Sequence, residues 1–573
     1  ASRPTPGGTF LIDKRFNALG PRRSEERYNV GQITFGVEGE FADAGDWTYD
    51  IYASYGRSDR DTIQTGNVSR SAVQSLLNAA DGGVALCAGG YDWLGETALS
   101  AACQAFIGRT SKNVTVYEQR NVEALVQGGL FELPAGEVRL ALGATYREDT
   151  FGFIPDGSLT GAITVQPPIA PLLTGNDIAG FNPSNPLAGE TNVFEIFGEA
   201  LIPIIADAPL IEELNITLAG RSSDYSTVGR VETYKGDIDW TVVDGLRFRG
   251  GYSRAVRAPS VGELFAIPTL GFPSIGNPGL TSNSGDPCDV RSAYRSTAGT
   301  NLLAPTNASI RQLCLDLGVP AAVIDTYTYT NNQVPAIAGG NPLLGEETAS
   351  TWSAGFVLAP RWEGLFERLS ISADYYNIEV EDAIGTIAVG TGLTNCFNAS
   401  TPANNATSNG TTNPTYSAAN VFCSFFSRNP LNGNITNFAA SNQNLGGLFA
   451  TGVDFSIDWG LEIGPGDLSV SWVGNWIETS SFQALPGGVT TPTVGTIANT
   501  TASATPEWKW TTTVGYSVGP FSVATRWQFI NEMTNFNAAA AIIAEKQYFD
   551  LFGSWDVNDN VTLRAGINNV GDT

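Results

Sequence analysis

The stretch GDIDWTVVDGLRFRGGYSRAVRAPSVGELF, Gly236 to Phe265, decides how this chain is read. Within it Leu246, Phe248, Tyr252 and Val256 alternate with Arg247, Arg249, Ser253 and Arg257. A period of two belongs to a β-strand. One face is apolar and the other carries arginine. Arginine facing lipid at mid-bilayer costs roughly 2–4 kcal/mol. Arg247, Arg249 and Arg257 therefore belong in a wet lumen, with the apolar set against lipid. Arg254 breaks the phase, because it shares a face with Tyr252 and Val256. It is expected either near the outer headgroups, where a long side chain reaches water, or at a β-bulge.

The same alternation runs through the chain. In TGVDFSIDWGLEI, Val453, Phe455, Ile457 and Trp459 oppose Asp454, Ser456 and Asp458. In NVFEIFGEALI, Glu195 and Glu199 share one face against Phe194, Ile196 and Ile202. Roughly seventeen such segments occur, most at or above the ~9–11 residues that cross a bilayer as a tilted strand. Their connections mostly alternate between short and long. The long ones are about 66–113, 155–190, 259–346, 383–446 and 484–505, and a short link near 227–229 stands where a long one is due. Up-and-down strands put every second connection on the same side. The expectation is an all-β fold, a large antiparallel transmembrane β-barrel with short periplasmic turns and long extracellular loops. A soluble β-sandwich or solenoid also alternates, but does not readily give one-sided loop lengths. A barrel this wide cannot be filled by its own side chains, so it is an aqueous channel or is plugged.

The bulk composition agrees. The chain has 573 residues, a formal net charge of −26 and 15 % charged residues. The acidic balance argues against nucleic acid, whose phosphates need a basic surface. No run approaches the ~18 apolar residues of a membrane helix, and ASRPTPGG at the N-terminus shows no secretion signal. Histidine is absent, which removes the commonest general base and metal ligand and excludes a Ser-His-Asp hydrolase. Six cysteines form three local couples, read as Cys87–Cys103, Cys288–Cys314 and Cys396–Cys423 in an oxidising compartment. None has zinc-site spacing, and no acidic loop has EF-hand spacing, so no metal and no cofactor are expected.

The opening stretch, with its strand ending in Arg-Ala-Pro-Ser, resembles the barrel segment of TonB-dependent outer-membrane receptors. GNPLLGEETASTWSAGF (Gly340 to Phe356), ISADYYNIEVEDAI, TGVDFSIDW and LRAGINNVGDT resemble further family landmarks in the family's order. The resemblance covers most of the chain. It implies a 22-stranded barrel, a globular N-terminal plug, and energy-coupled import driven by TonB and its inner-membrane complex. Against that pattern, residues 1–573 are expected to form a partial barrel, with the plug, the first strands and the last strand outside the chain. After Asn-Asn, where the family has Leu-Phe, this chain has Val570-Gly571.

The ligand site is expected on extracellular loops and the upper lumen. Candidates are Tyr91 and Trp93 beside the first disulfide, Arg257 and Glu263 where the opening strand ends, and Phe397, Tyr416, Phe422 and Phe425 on the Asn-rich loop. Aromatic faces with amide side chains suit a sugar or a flat ligand. Ordinary loop packing around the disulfides is the competing reading for each. Arg247, Arg249, Glu195, Glu199, Asp454 and Asp458 are expected to line the lumen, where Arg247 and Arg249 would form salt bridges. The function expected is uptake of a large scarce solute, a ferric siderophore or an oligosaccharide-type nutrient, across the bacterial outer membrane. Peptide and cobalamin remain open as substrates. The expected partners are TonB, outer-membrane lipid and lipopolysaccharide, and an extracellular ligand. A passive porin is the alternative, and no acid–base constellation supports an enzyme.

Overall fold

The computed structural model describes residues 15–571, apart from 43–44, 93–94, 96–97, 161–175, 182, 279–283, 296–306, 330, 361, 363, 398–415, 445, 484–489, 498–503 and 536–537. Trp93 lies outside the described residues. The main sheet has 17 strands. All but one follow each other in chain order: β1 Arg23–Glu40, β2 Thr48–Val68, β3 Gly108–Leu133, β4 Gly136–Ile154, β5 Leu187–Ala208, β6 Ile211–Tyr225, β7 Gly229–Val243, β8 Leu246–Arg257, β9 Glu347–Leu358, β10 Arg368–Glu381, β11 Gly447–Ile463, β12 Gly466–Gln483, β13 Trp508–Val518, β14 Phe521–Ile530, β15 Lys546–Asn558 and β16 Val561–Ile567. The remaining strand, Thr490–Pro492, adds three residues beside the end of β12.

Every neighbouring pair from β1 to β16 is antiparallel. Among the described residues, no pairing joins β16 to β1. Among the described residues the sheet thus has sixteen chain-ordered strands, close to the roughly seventeen segments counted from alternation and below the 22 that the resemblance implies.

Connections after odd-numbered strands are short: 41–47, 134–135, 209–210, 244–245, 359–367, 464–465, 519–520 and 559–560. Those after even-numbered strands are long, at 69–107, 155–186, 258–346, 382–446, 484–507 and 531–545, with 226–228 as the exception. The last of the long ones was not anticipated. It carries two short strands, Met533–Asn535 and Ala538–Ile543. Among the described residues, no helix is long and apolar enough to cross a membrane.

Register separates the two faces. Leu246, Phe248 and Tyr252 of β8 stand opposite Leu358, Phe356 and Trp352 of β9. Aromatic side chains on this apolar face gather near both ends of the strands. Trp476 and Trp508 stack at one level and Phe521 and Trp555 at the other. Such paired belts suit the two membrane–water interfaces. Arg254 is exposed and sits three residues before the end of β8, opposite Ser350 and Tyr234 in an unbroken ladder. No bulge occurs there. The irregularity of that strand pair lies at the other end, at Thr241/Val243.

The connections 258–346 and 382–446 fold together into one module. A small sheet joins Thr269–Gly271, Ala336–Ala338, Ile435–Ala439 and Phe426–Arg428. Two helices, Asn307–Asp316 and Val389–Cys396, pack on the same core. The bonds Cys288–Cys314 and Cys396–Cys423 lie inside that core, and Cys87–Cys103 fastens the connection 69–107, as the cysteine spacing predicted.

Candidate functional site

The polar face of the sheet is a wall of paired charges. Arg249 stands opposite Asp239 on β7 and Gly355 on β9, and Asp374 of β10 lies beyond Gly355. Arg249 donates to Asp374 through Nε (2.7 Å) and Nη2 (2.6 Å). Gly355 makes that reach possible, since a Cβ there would stand 2.1 Å from Asp374 Oδ1. Arg247 donates through Nε to Asp239 at 2.7 Å. Glu195 accepts from Arg221 Nη1 (3.0 Å) and Ser223 Oγ (2.6 Å), and Glu199 pairs with Lys235 Nζ at 3.3 Å. Asp454 accepts from Asn475 Nδ2 at 2.7 Å, and Asp458 shares its face opposite Ser370 and Ser471. Arg221 and Lys235 were not among the expected residues. Their period-two phase in β6 and β7 would have found them.

The Arg-Ala-Pro-Ser end of β8 is a clamp. Ser260 caps the helix Val261–Phe265, and Glu263 closes the capping box by accepting from Ser260 N at 2.8 Å. The same carboxylate takes two N–H groups from Arg257, at 2.8 and 2.9 Å, while Arg257 Nε donates to Glu347 at the start of β9. Burial acts to raise the Glu263 pKa, but Arg257 and Ser260 outweigh it and hold the carboxyl below its usual range. Asn341 and Asn442 extend the clamp. Asn341 N and Asn442 Nδ2 both donate to Glu263 O. Gly340 packs so tightly on this helix that a Cβ would stand 2.5 Å from Leu264 O. Arg257 and Glu263 thus meet each other, and their contacts fasten the loop module to the strand ends.

The helix also crosses the mouth. Phe265 lies over Gly189 of β5, where a Cβ would stand 2.1 Å from its ring. Gly189 is in phase with Glu195 and Glu199, so the contact is on the polar face.

The loop aromatics are core residues. Phe397 is 0 % exposed and Phe422 1 %, while Tyr416 and Phe425 stay below 9 %. Phe425 packs on Phe422 and Phe438, and Phe397 on Tyr294. In this arrangement their rings fill the module and none forms an open ligand platform. Beneath them Arg428 gives two N–H groups to Asp286, both at 2.7 Å, with both side chains fully buried. Tyr327 Oη donates to the same carboxylate at 2.8 Å, and burial with the neighbouring Asp286 charge raises its pKa. Tyr91 stacks on Phe16 with ring centroids 6.0 Å apart, beside the Cys87–Cys103 bond. Burial raises its pKa too.

The family described as TonB dependent receptor-like, beta-barrel matches residues 2–570. The chain belongs to that family. Its members are receptors and transporters of the outer membrane. Solved structures similar to this TonB-dependent receptor barrel include the siderophore receptor PirA from Acinetobacter baumannii, at 12 % identity and TM-score 0.44, covering 96 % of this chain and 76 % of that one. The ferric enterobactin receptor PfeA from Pseudomonas aeruginosa is similar at 12 % identity and TM-score 0.47, covering 96 % and 65 %. The RagAB peptide transporter is similar at 11 % identity and TM-score 0.49, covering 94 % and 56 %. No curated protein matches the chain.

Proposed function

We propose that this barrel serves TonB-dependent, energy-coupled uptake of a large scarce solute across the bacterial outer membrane, with no catalytic role of its own. The observation that carries the reading is the family match over residues 2–570. The two-faced sheet supports it, with apolar belts for lipid on one side and a hydrated wall of ion pairs on the other. TonB and its inner-membrane complex act through a plug, and the ligand, a ferric siderophore or an oligosaccharide-type nutrient, enters from the loop side. A passive pore is the competing function, because porins have 16–18 strands and the described residues form sixteen chain-ordered strands. The full-length protein decides between them when uptake of candidate solutes is measured at low external concentration with and without TonB. Uptake should vanish without TonB. Uptake that persists unchanged and follows the gradient would overturn the proposal in favour of the pore.

A further inference from the structure

Three arginines of β8 are committed to carboxylates: Arg247 to Asp239, Arg249 to Asp374, and Arg257 to Glu263 and Glu347. Arg254 is not. It is exposed and, among the described residues, takes part in no ion pair. It stands in the apolar phase, next after Phe248, Gly250 and Tyr252. Comparable arginines on other strands are neutralised. Arg57 follows Ile51, Ala53 and Tyr55 in the same way, and Arg120 follows Val126, Ala124 and Val122. Arg57 pairs with Glu118 at 2.6 Å and Arg120 with Glu148 at 2.8 Å. Arg230, in the apolar phase of β7, holds Glu232 at 2.9 Å. Glu379 of β10 shares the phase of Arg254 but stands opposite Ser350, two strands away, roughly 10 Å at ordinary strand spacing. The Arg254 guanidinium is thus open to an anion.

Its surroundings are those of a lipid surface. Arg254 is two residues beyond Tyr252 toward the loops, at the ninth position of β8, where a crossing of ~9–11 residues ends. A long side chain there reaches the headgroup layer. Just below it the outer surface is aromatic. The Tyr252 ring lies between those of Tyr234 and Trp352, with centroids 6.1 and 4.4 Å away, and Trp352 is exposed. The backbone also parts beside Arg254. β7 and β8 pair from Tyr234 and Arg254 inward, and residues 229–233 make no pair with β8. A recess of about 440 Å³ lies there, lined by Tyr234, Arg254 and Val256 of the apolar phase and by Lys235 and Ser253 of the wet one. Arg254 therefore borders a concave seat and not a flat sheet.

We infer that Arg254 and these rings dock an outer-leaflet lipid whose headgroup carries a phosphate monoester, a lipid A-type molecule. The guanidinium fork takes two phosphate oxygens at once. The acyl chains lie along Tyr252 and Trp352. Free phosphate would gain the fork alone, whereas the lipid adds apolar contact to it. The site faces away from the solute's path, so it goes beyond the uptake function and stands or falls apart from it.

The test uses the full-length receptor, stripped of lipid in detergent at about 0.15 M volatile salt. It is titrated separately with diphosphorylated lipid A, the same lipid without its phosphates, phosphatidylethanolamine and inorganic phosphate, and bound molecules are counted by native mass spectrometry. Lipid A should bind most tightly. Arg254→Gln should lower its affinity ~10-fold. Removing the phosphates should cost wild type a similar factor, and the two losses should not add. Arg120→Gln, at a paired arginine of the same face, should change the affinity less than ~2-fold. Heat-modifiable gel mobility identifies a variant that has not folded. If that is Arg254→Gln, Arg254→Lys is read instead, with a loss of ~3-fold from the missing fork. Lipid A binding that ignores Arg254, binding that ignores the phosphates, an equal loss in Arg120→Gln, or inorganic phosphate held at Arg254 as tightly as the lipid would each overturn the assignment. TonB dependence of uptake is scored separately. Uptake that needs TonB in a receptor indifferent to lipid A removes this site and leaves the proposed function standing.

Discussion

Arg249 in the wall and Arg428 in the loop module each hold an aspartate through two N–H groups, yet their surroundings are opposite. The Arg249 side chain is 45 % exposed and its partner Asp374 28 %, whereas Arg428 and Asp286 are both at 0 %. A water-washed pair contributes little, typically ~0–1 kcal/mol. A buried pair is obligate, because removing one partner strands a charge in low dielectric. Around Arg249 the wall is thus held by its backbone ladder and tolerates changes in charge. The module is held by a small globular core and does not.

The largest expected effect tests the module. Arg428→Met should destabilise it by about 3–5 kcal/mol, read as lost hydrogen-exchange protection around Asp286, Tyr327 and Phe438. Heat-modifiable mobility of the barrel should stay unchanged. Replacing Asp286 with Leu as well should restore part of the protection, since it removes the stranded charge but also the acceptor of Tyr327 Oη and Cys288 N. If Arg428→Met spares the module, the contrast with the wall fails.

The next test compares neighbours within one strand. Tyr252→Arg places a charge on the lipid side at mid-strand and should cost roughly 2–4 kcal/mol in reversible unfolding from lipid vesicles. Arg249→Gln, three residues away on the wet side, should cost no more than ~1 kcal/mol. Equal costs would mean that the two faces are wrongly assigned.

The smallest effect lies where wall and module join. Glu263→Gln weakens the cap and the Arg257 bond, a loss of about 1 kcal/mol, seen as faster exchange in residues 261–265. The folded carboxyl titrates below its ordinary value. Its stabilisation is therefore complete above the unfolded Glu pKa of about 4.3, and it is lost as pH falls through the lower folded value. Wild type and variant should differ at neutral pH and converge in acid. A constant gap across that range would show that the carboxylate's charge is not what secures the clamp.

The same division explains what could be read from the sequence. Strand existence, face and side of connection follow from a period of two, which residues such as Phe455 and Asp454 state locally. The cysteine couples were legible because each closes within one connection. The module's core was not, because loop aromatics obey no period. Phe397 and Phe422 look alike as ligand platform or as core until both are seen inside the module core. Asp286 and Arg428 lie 142 residues apart, and nothing near either one announces the other. Arg257 and Glu263 were expected as ligand contacts, and the structure places them in the capping clamp. Their capping geometry and the third partner, Glu347, needed coordinates.

The locality of the three disulfides has a consequence for assembly. Their partners are separated by 16, 26 and 27 residues, each inside a single connection. Closing a short loop costs less entropy than closing a long one, and none of these bonds requires a strand to have met its neighbour. Oxidation and sheet formation are therefore separable events. A chain kept reduced retains every residue of its ladder and should build the same wall, beneath a module whose loops have lost their covalent ties.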